Sequence, residues 1–512
     1  MFDIGYVPSQ WSEGYIIPLH KKGNVENVQN YRGITLLSTL GKLFTRILNN
    51  RLMEWAETYN VYIEAQAGFR SEMSTVDNIF VLHNIITHML NSGKKLYCAF
   101  IDFTKAFDYI VRDNLWVKLI KLGIRGKILN IIQSLYNCIK SKVKLNNELS
   151  KDFECILGVR QGESLSPFLF SMFINDLEET FVKSGIEGID IGTMNILMLL
   201  YADDIIVFAN TAEELQEQLN RLKLYCDKWK LKINVEKTKV MVFRKGGRLP
   251  NNVSFTYDGQ VLDIVKRFTY LGVVFTTTCS FSDAQTTLAG QSTKAIFKLN
   301  KYLYKFTYIS VKHRLELFDK LVTPILNYGS QVWGFAKANS IERVHMKYCK
   351  TLLKVKKSTQ NDFIYGELGR TSYQTQRYCC ILKYWLKILN MSDKRYVKCV
   401  YNMLLEDEKN SPNKVNWASL LKKLLGSLGM YECWLAQGVG NSDVFLSVAK
   451  QRLSDQFVQA WHSRLSNSTR ALFYNKISNF RFQPYLDFFT CAKFCTSLIK
   501  LRVSSHRLMV EC

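Results

Sequence analysis

The chain reads as a multidomain α+β protein, and three features predict it. Its 512 residues are too many for one hydrophobic core and imply roughly three or four domains. From about residue 96 to about 275, apolar strands alternate with amphipathic helices in the order strand, helix, strand, hairpin, helix, strand. That order predicts helices packed on one face of a largely antiparallel sheet. Beyond about residue 285 the pattern turns helical, basic and rich in Tyr and Trp.

Taken in order, residues 14–19 (Gly-Tyr-Ile-Ile-Pro-Leu) predict a strand and Lys21-Lys22-Gly23 a basic turn. Residues 38–57 predict a helix, because apolar side chains recur there at helical spacing. Apolar strands surround Asp102 and Asp203, a charged amphipathic helix runs from Ala212 to about Trp229, and residues 240–243 form another strand. Residues 244–252 (Arg-Lys-Gly-Gly-Arg-Leu-Pro-Asn-Asn) read as a loop, and residues 254–275 as a hairpin. There is no internal repeat and no low-complexity segment.

Lys and Arg exceed Asp and Glu by 24, and unevenly: residues 1–290 carry +3, residues 291–400 carry +15 and residues 401–512 carry +6. Charge of that density is the footprint of a polyanion, most simply nucleic acid. Thirteen cysteines are scattered without a Cys-x-x-Cys pair, which points to an intracellular, reducing compartment. Cys491 and Cys495 lie one helical turn apart without His partners nearby, and read as a core or surface pair rather than a zinc site. The opening Met1-Phe-Asp-Ile lacks a basic region such as starts a signal peptide. No apolar run exceeds about eight residues, too short to span a bilayer, so no membrane partner is expected.

Two acidic sites interrupt the apolar strands. Asp102 ends the run Leu96-Tyr-Cys-Ala-Phe-Ile, and Asp203-Asp204 sit at the tip of a hairpin-like Leu199-Leu-Tyr-Ala-Asp-Asp-Ile-Ile-Val-Phe208. An ionised carboxylate among such residues costs roughly several kcal/mol unless it is paired or metal-bound. Three carboxylates without Cys or His suit Mg²⁺ rather than zinc. Two such ions about 3.5–4 Å apart support in-line phosphoryl displacement.

The strings that carry these carboxylates resemble successive palm motifs of reverse transcriptases. They are Phe100-Ile-Asp102-Phe103-Thr-Lys-Ala-Phe107-Asp108, Gly158-Val-Arg-Gln161-Gly162-Glu-Ser-Leu-Ser-Pro167, Tyr201-Ala-Asp203-Asp204, Asn234-Val-Glu-Lys237-Thr-Lys239 and Tyr270-Leu271-Gly272. With Asn30-Tyr-Arg32-Gly-Ile-Thr-Leu-Leu and Gln66-Ala-Gly68-Phe69-Arg70 upstream, the chain resembles the non-long-terminal-repeat (LINE-type) retrotransposon class from about Trp11 to about Gly334.

The resemblance implies a right-hand polymerase fold with fingers at 1–95, a palm at 96–284 with a fingers insertion at about 112–155, a helical thumb at 285–355, and a helical C-terminal extension at 356–512. It implies that Asp102 and Asp203 bind two Mg²⁺ ions, for which Mn²⁺ could substitute, with Asp204 in support. Phe107 would be the gate beneath the sugar, and Phe103, Gln161 and Gly162 would line the nucleotide and template. Lys237 would stand near the departing pyrophosphate, while Lys21, Lys22, Arg32 and Arg70 would lie over the triphosphate. Arg suits that task because its planar fork matches phosphate oxygens. Tyr270-Leu271-Gly272 would be the primer grip, and Pro167 would open a helix.

Lys294, Lys298, Lys301 and Lys305 fall on one helix face, with Phe297, Tyr302, Tyr304 and Phe306 interleaved. They read as a groove that tracks phosphates, or as core aromatics beneath a wet basic face. Tyr328-Gly329-Ser-Gln-Val-Trp333-Gly334 resembles a string found after the polymerase in such elements, with no chemistry assigned to it. Neither a nicking endonuclease nor a Cys/His zinc knuckle is visible, and the last residues look like an interrupted helix, which suggests a fragment of a longer polyprotein or a degraded copy.

The expected function is RNA-directed DNA synthesis in retrotransposition, with an RNA template, a DNA primer and deoxynucleoside triphosphates as partners and the nucleus as the place of action. The oligomeric state is left open. Rival readings are a catalytically inactive nucleic-acid-binding remnant and an RNA-dependent RNA polymerase.

Overall fold

Leu96-Tyr-Cys-Ala-Phe-Ile is apolar at every position, and such a run suits a strand covered on both faces. It forms the strand Leu96–Asp102, buried along its length until Asp102 emerges at the C-terminal end. In the computed structural model the described residues are 4–21, 23–192, 194–247, 249, 253–306, 309–411, 413–488 and 492–505. Lys22 and Cys491 lie outside them.

The described residues form two compact units. The first comprises the residues up to Asn78, Met89–Lys266 and Lys394–Cys399; the second comprises Ile79–His88, Arg267–Asp393 and the residues from Val400 onward.

In the first unit Leu96–Asp102 lies inside a six-stranded sheet. Asp204–Ala209 flanks it on one side and Lys239–Phe243 on the other, both antiparallel, with Asp204 opposite Asp102. Met198–Tyr201 forms one edge; Gln260–Ile264 and Phe255–Tyr257 complete the other side, the former running parallel to Lys239–Phe243. The helix Ala212–Trp229 packs on this sheet. It starts where expected because Thr211 accepts the Glu214 amide and Glu213 and Glu214 face the positive helix end. A second sheet joins Glu13–His20 to Tyr31–Leu36 and, in parallel, to Lys140–Leu145. The helix Thr39–Thr58 follows, with Ser38 as its cap.

Residues 254–275, read from sequence as one hairpin, are two. Asp258-Gly259 turns the first back on itself within the first unit, and Leu271-Gly272 turns the second, Arg267–Tyr270 with Val273–Thr276, within the second unit. Each turn has two residues of positive φ, the twist that tight hairpins require.

The second unit is otherwise mainly helical. Trp333, Trp385 and Trp461 are fully buried, and each indole N–H has a partner: the Tyr328 carbonyl at 2.9 Å, the Tyr401 hydroxyl at 2.9 Å and the Asp362 carbonyl at 2.7 Å. Tyr328 also explains the string that begins with it. Its hydroxyl donates to the Leu271 carbonyl at 2.7 Å, and a Cβ on Gly272 would lie 3.0 Å from its ring. The Tyr328–Gly334 string thus seats the turn that carries Leu271 and Gly272.

On the helix Ser282–Leu303 and just beyond it, Phe297, Tyr302, Tyr304 and Phe306 are 72, 65, 92 and 61% exposed. They are not core residues, and stand in solvent beside the exposed Lys294, Lys298, Lys301 and Lys305. Among the described residues no helix is long and apolar enough to cross a membrane. The eleven described cysteines are all free thiols.

Candidate active site

Asp102 leaves the buried central strand at its exposed end, and the turn that follows Ile233 clasps it. Asn234 N–H donates to the Asp102 carbonyl at 2.8 Å, and Asp102 N–H donates to Thr238 Oγ1 at 3.2 Å. Lys237, in that same turn, brings its Nζ to 3.4 Å from Asp102 Oδ2. That oxygen is buried and accepts no hydrogen bond.

Asp203 lies in the two-residue turn between Met198–Tyr201 and Asp204–Ala209, after Ala202 at φ 57°. A left-handed non-glycine residue costs on the order of 1 kcal/mol and persists only where its surroundings hold it. Here the Ala202 amide donates to Gln66 Oε1 at 3.1 Å. The chain around Gln66 runs beside the edge strand, with Leu200 N–H donating to the Ala65 carbonyl at 2.8 Å and Ala67 N–H to the Leu200 carbonyl at 2.9 Å. A Cβ on Gly68 would fall 2.2 Å from the Ala202 nitrogen. Gln66 and Gly68 are therefore the brace under the acidic turn, a role invisible in the motif string because it depends on a contact 134 to 136 residues away.

The acidic groups feel one another. Burial and then the charge of Asp102 push the Asp203 carboxyl up, against its own amide, Arg32 and Lys21. The protein packed around Asp204, and then Asp203 and Asp102, push Asp204 up to about 6. Its side chain reaches solvent, which weakens the contribution of burial and leaves like-charge repulsion as the part a cation would relieve. A carboxyl raised in the native state holds its proton more tightly when folded. Stability is then gained as pH falls through about 6 toward the ordinary carboxylate range and lost as pH rises through 6. Asp204→Asn is therefore expected to raise the melting temperature near neutral pH and to flatten the gain in stability on acidification. Thermal denaturation of both proteins at neutral and mildly acidic pH checks this; a variant that melts lower at neutral pH would remove the repulsion argument.

Lys21 and Arg32 reach the same place. Lys21 N–H donates to the Asn30 carbonyl at 2.9 Å, and Leu19 pairs with Arg32 across the two strands. Burial, Arg32 and Lys237 lower Lys21, while Asp102 and Asp203 pull it back up. Gln161 and Gly162 form a turn fastened on two sides. Thr35 N–H donates to the Gln161 carbonyl at 2.8 Å, Gln161 Nε2 donates to Asp108 Oδ1 at 2.9 Å, and a Cβ on Gly162 would lie 2.7 Å from the Thr35 carbonyl. Phe107, half-buried, stacks on Phe170 with centroids 4.8 Å apart, and Pro167 stands in the first turn of the helix Ser166–Phe173.

Two expected substrate contacts are not in that position. Arg70 is only 8% exposed and its fork is engaged inside the fold: Nε and Nη2 donate to Glu57, and Nη1 donates to the carbonyls of Ile63 and Gln66. Its guanidinium also covers the Tyr62 ring at 4.8 Å. Arg70 therefore supports the brace rather than facing a triphosphate. Phe103 is 4% exposed and pairs by backbone with Ile233, so it belongs to the core. Tyr270, Leu271 and Gly272 belong to the second unit, in the hairpin described above.

Among the described residues no group of three His, Cys, Asp or Glu side chains lies close enough together to hold an ion. Mg²⁺, however, is usually bound by one or two carboxylates, with water and substrate phosphates completing its shell. Two mutually repelling Asp side chains, one with a buried oxygen that accepts no hydrogen bond, fit that demand.

The profile of the reverse transcriptase (RNA-dependent DNA polymerase) family matches residues 19–275, half of the chain. The chain belongs to this family. It is 29% identical over 353 residues to a probable RNA-directed DNA polymerase from transposon BS of Drosophila melanogaster, covering 67% of this chain and 38% of that protein. It is 24% identical to the RNA-directed DNA polymerase from mobile element jockey of the same organism, covering 69% and 39%. The retrovirus-related Pol polyprotein from a type-1 R2 retrotransposable element of Popillia japonica is 27% identical, covering 64% and 45%. This reverse transcriptase-family chain thus spans less than half the length of each of these relatives. A telomerase from Candida albicans, solved with a fragment of telomeric RNA, aligns at TM-score 0.40 and 13% identity over 85% of this chain and 68% of that one.

Proposed function

We propose that the chain extends a DNA primer on an RNA template, as the polymerase part of a non-long-terminal-repeat retrotransposon protein. The observation that carries the proposal is the pairing of Asp102, with a buried oxygen that accepts no hydrogen bond, and the Asp203 turn, inside the span that matches the family. The names of the relatives supply the reaction class.

In this reaction the primer 3′-hydroxyl gives up its proton to solvent and its oxygen bonds to the α-phosphorus of a deoxynucleoside triphosphate, as the bond to the bridging oxygen breaks and pyrophosphate leaves. Two Mg²⁺ ions would supply Lewis acidity to the attacking hydroxyl and the leaving oxygens. Asp102 and Asp203 are the residues to hold them, with Asp204 beside them. Lys21 and Arg32 would receive triphosphate oxygens, and the exposed Lys237 Nζ would give a proton to the departing pyrophosphate. The Gln161–Gly162 turn would floor the nucleotide site. In the second unit, the exposed Lys and aromatic side chains of Ser282–Leu303 and the residues just after it would carry template and primer, phosphates on the cations and sugars or bases on the rings. Chromosomal DNA as the source of primer would place the work in the nucleus.

Mg²⁺-dependent incorporation of deoxynucleotides on a primed homopolymer RNA tests the proposal, and binding without incorporation would overturn it. Phe107 would exclude ribonucleotides by meeting the 2′-hydroxyl. Phe107→Ala is expected to shift the ratio of kcat/KM for ribo- over deoxynucleotides upward by roughly 10–100-fold, the range that a single shape contact in a pocket can give. An unchanged ratio would leave Phe107 as a packing partner of Phe170 alone.

A further inference from the structure

Well beyond the span that matches the family, the short segment Lys394–Cys399 returns to the first unit. Arg395 Nε donates to Glu64 Oε1 at 2.9 Å, and the Tyr396 amide donates to the same oxygen at 3.3 Å. The Tyr396 ring is buried, and its hydroxyl donates to Glu178 Oε1 at 2.8 Å. Glu64 Oε2 also lies 3.9 Å from Arg70 Nη1, and Arg70 grips Glu57. Glu57, Arg70, Glu64 and Arg395 therefore form a chain of alternating charge, mostly withdrawn from water. Burial pushes the Glu64 carboxyl up, and Arg395 and then Arg70 hold it down.

Glu64 immediately precedes the Ala65–Gly68 brace. From Glu64 the path to the acidic turn is short: Ala65 accepts the Leu200 amide, Gln66 accepts the Ala202 amide, and Asp203 comes next. The Gln66 backbone carbonyl accepts from Arg70, so Arg70 is fastened to the brace as well as to Glu64. Freed of Arg395, Glu64 would be a partly buried carboxylate left with the long Tyr396 amide bond and a distant Arg70, which favours movement of its loop toward water.

We propose that Arg395 is a positioning residue for the polymerase centre. Its side chain holds Glu64 and so holds the brace that sets the Ala202–Asp203 turn. The inference rests on the function proposed above, and places part of the polymerase machinery about 120 residues downstream of the family match.

The test uses the full chain and two readouts. Amide hydrogen exchange of Leu200 and Ala202 reports the brace directly, without any reaction. In Arg395→Ala these amides are expected to exchange about tenfold faster, the loss of one charge-assisted hydrogen bond, with the helix Ala212–Trp229 unchanged. Extension should then fall about tenfold in kcat with template–primer affinity unchanged, and Arg395→Lys, which restores the charge, should recover most of it. If Arg395→Ala does not fold, Glu64→Gln, which keeps the shape of the side chain and removes the charge that Arg395 pairs with, should show the same changes at smaller size. Unchanged exchange in the folded variants would overturn the proposal, and so would faster exchange with kcat intact. A wild-type protein without polymerase activity would overturn the function proposed above, and the exchange arm would still decide whether Arg395 holds the turn.

Discussion

Asp203→Asn is expected to abolish primer extension on RNA, with kcat lowered by about 10³-fold or more, while RNA affinity stays within about twofold. The substitution keeps the size and shape of the side chain, and the turn that carries it is held by the Gln66 side chain and by backbone bonds of Ala65 and Ala67 to Leu200. What it removes is one negative charge and one hard oxygen ligand, beside Asp102, whose own buried oxygen has no hydrogen-bond donor. Since burial and Asp102 already disfavour the charge on Asp203, the variant is expected to be no less stable than the parent. Loss of extension with RNA binding and melting temperature retained is the expected result. Wild-type rates in the variant would remove Asp203 from the chemistry.

Gly68→Ala is expected to have the second-largest effect, although it adds a single methyl group. The new Cβ would sit 2.2 Å from the Ala202 nitrogen and 2.9 Å from the Tyr201 carbonyl carbon, both backbone atoms in a turn that is closed on two sides. Backbone cannot swing away as a side-chain tip can, so either the brace lifts or the acidic turn shifts. A displacement of about 1 Å at reacting groups costs about 10²-fold in rate, and overpacking of this kind costs about 1–3 kcal/mol. Gly290→Ala is the control, because nothing lies within 4 Å of its added Cβ and its helical backbone suits alanine. Extension and denaturation measured on both should separate them. Equal behaviour would show that the brace yields without disturbing Asp203.

How far the sequence reaches is clear from particular elements. The helix Ala212–Trp229 runs between the expected ends because its cap, its acidic first turn and its apolar period are all local. The strands around Asp102 and Asp203 were equally legible, since a lone carboxylate ending an apolar run is a local contradiction that a site resolves. Arg70 and Phe103 show the opposite case. Both stand in motif strings beside residues that do face the acidic cluster. Arg70 is claimed by Glu57, thirteen residues upstream, and Phe103 by the core, and neither outcome is written in the string itself. The exposed Phe297, Tyr302, Tyr304 and Phe306 are a related case, because an aromatic at helical spacing suits core and groove alike until neighbours are known.

The alternation of elements, the carboxylates that interrupt the strands and the basic bias of residues 291–400 are all legible along the chain, because each depends on residue type and on neighbours a few positions away. Which of the motif residues meet is a matter of how the chain packs. Gln66 and Gly68 lie under Ala202, Lys237 reaches Asp102, and Arg395 binds Glu64 from 331 residues further on. An amide or a carboxylate bonds whatever the packed chain brings within about 3 Å, and that choice is made by burial of distant apolar strands rather than by spacing along the chain.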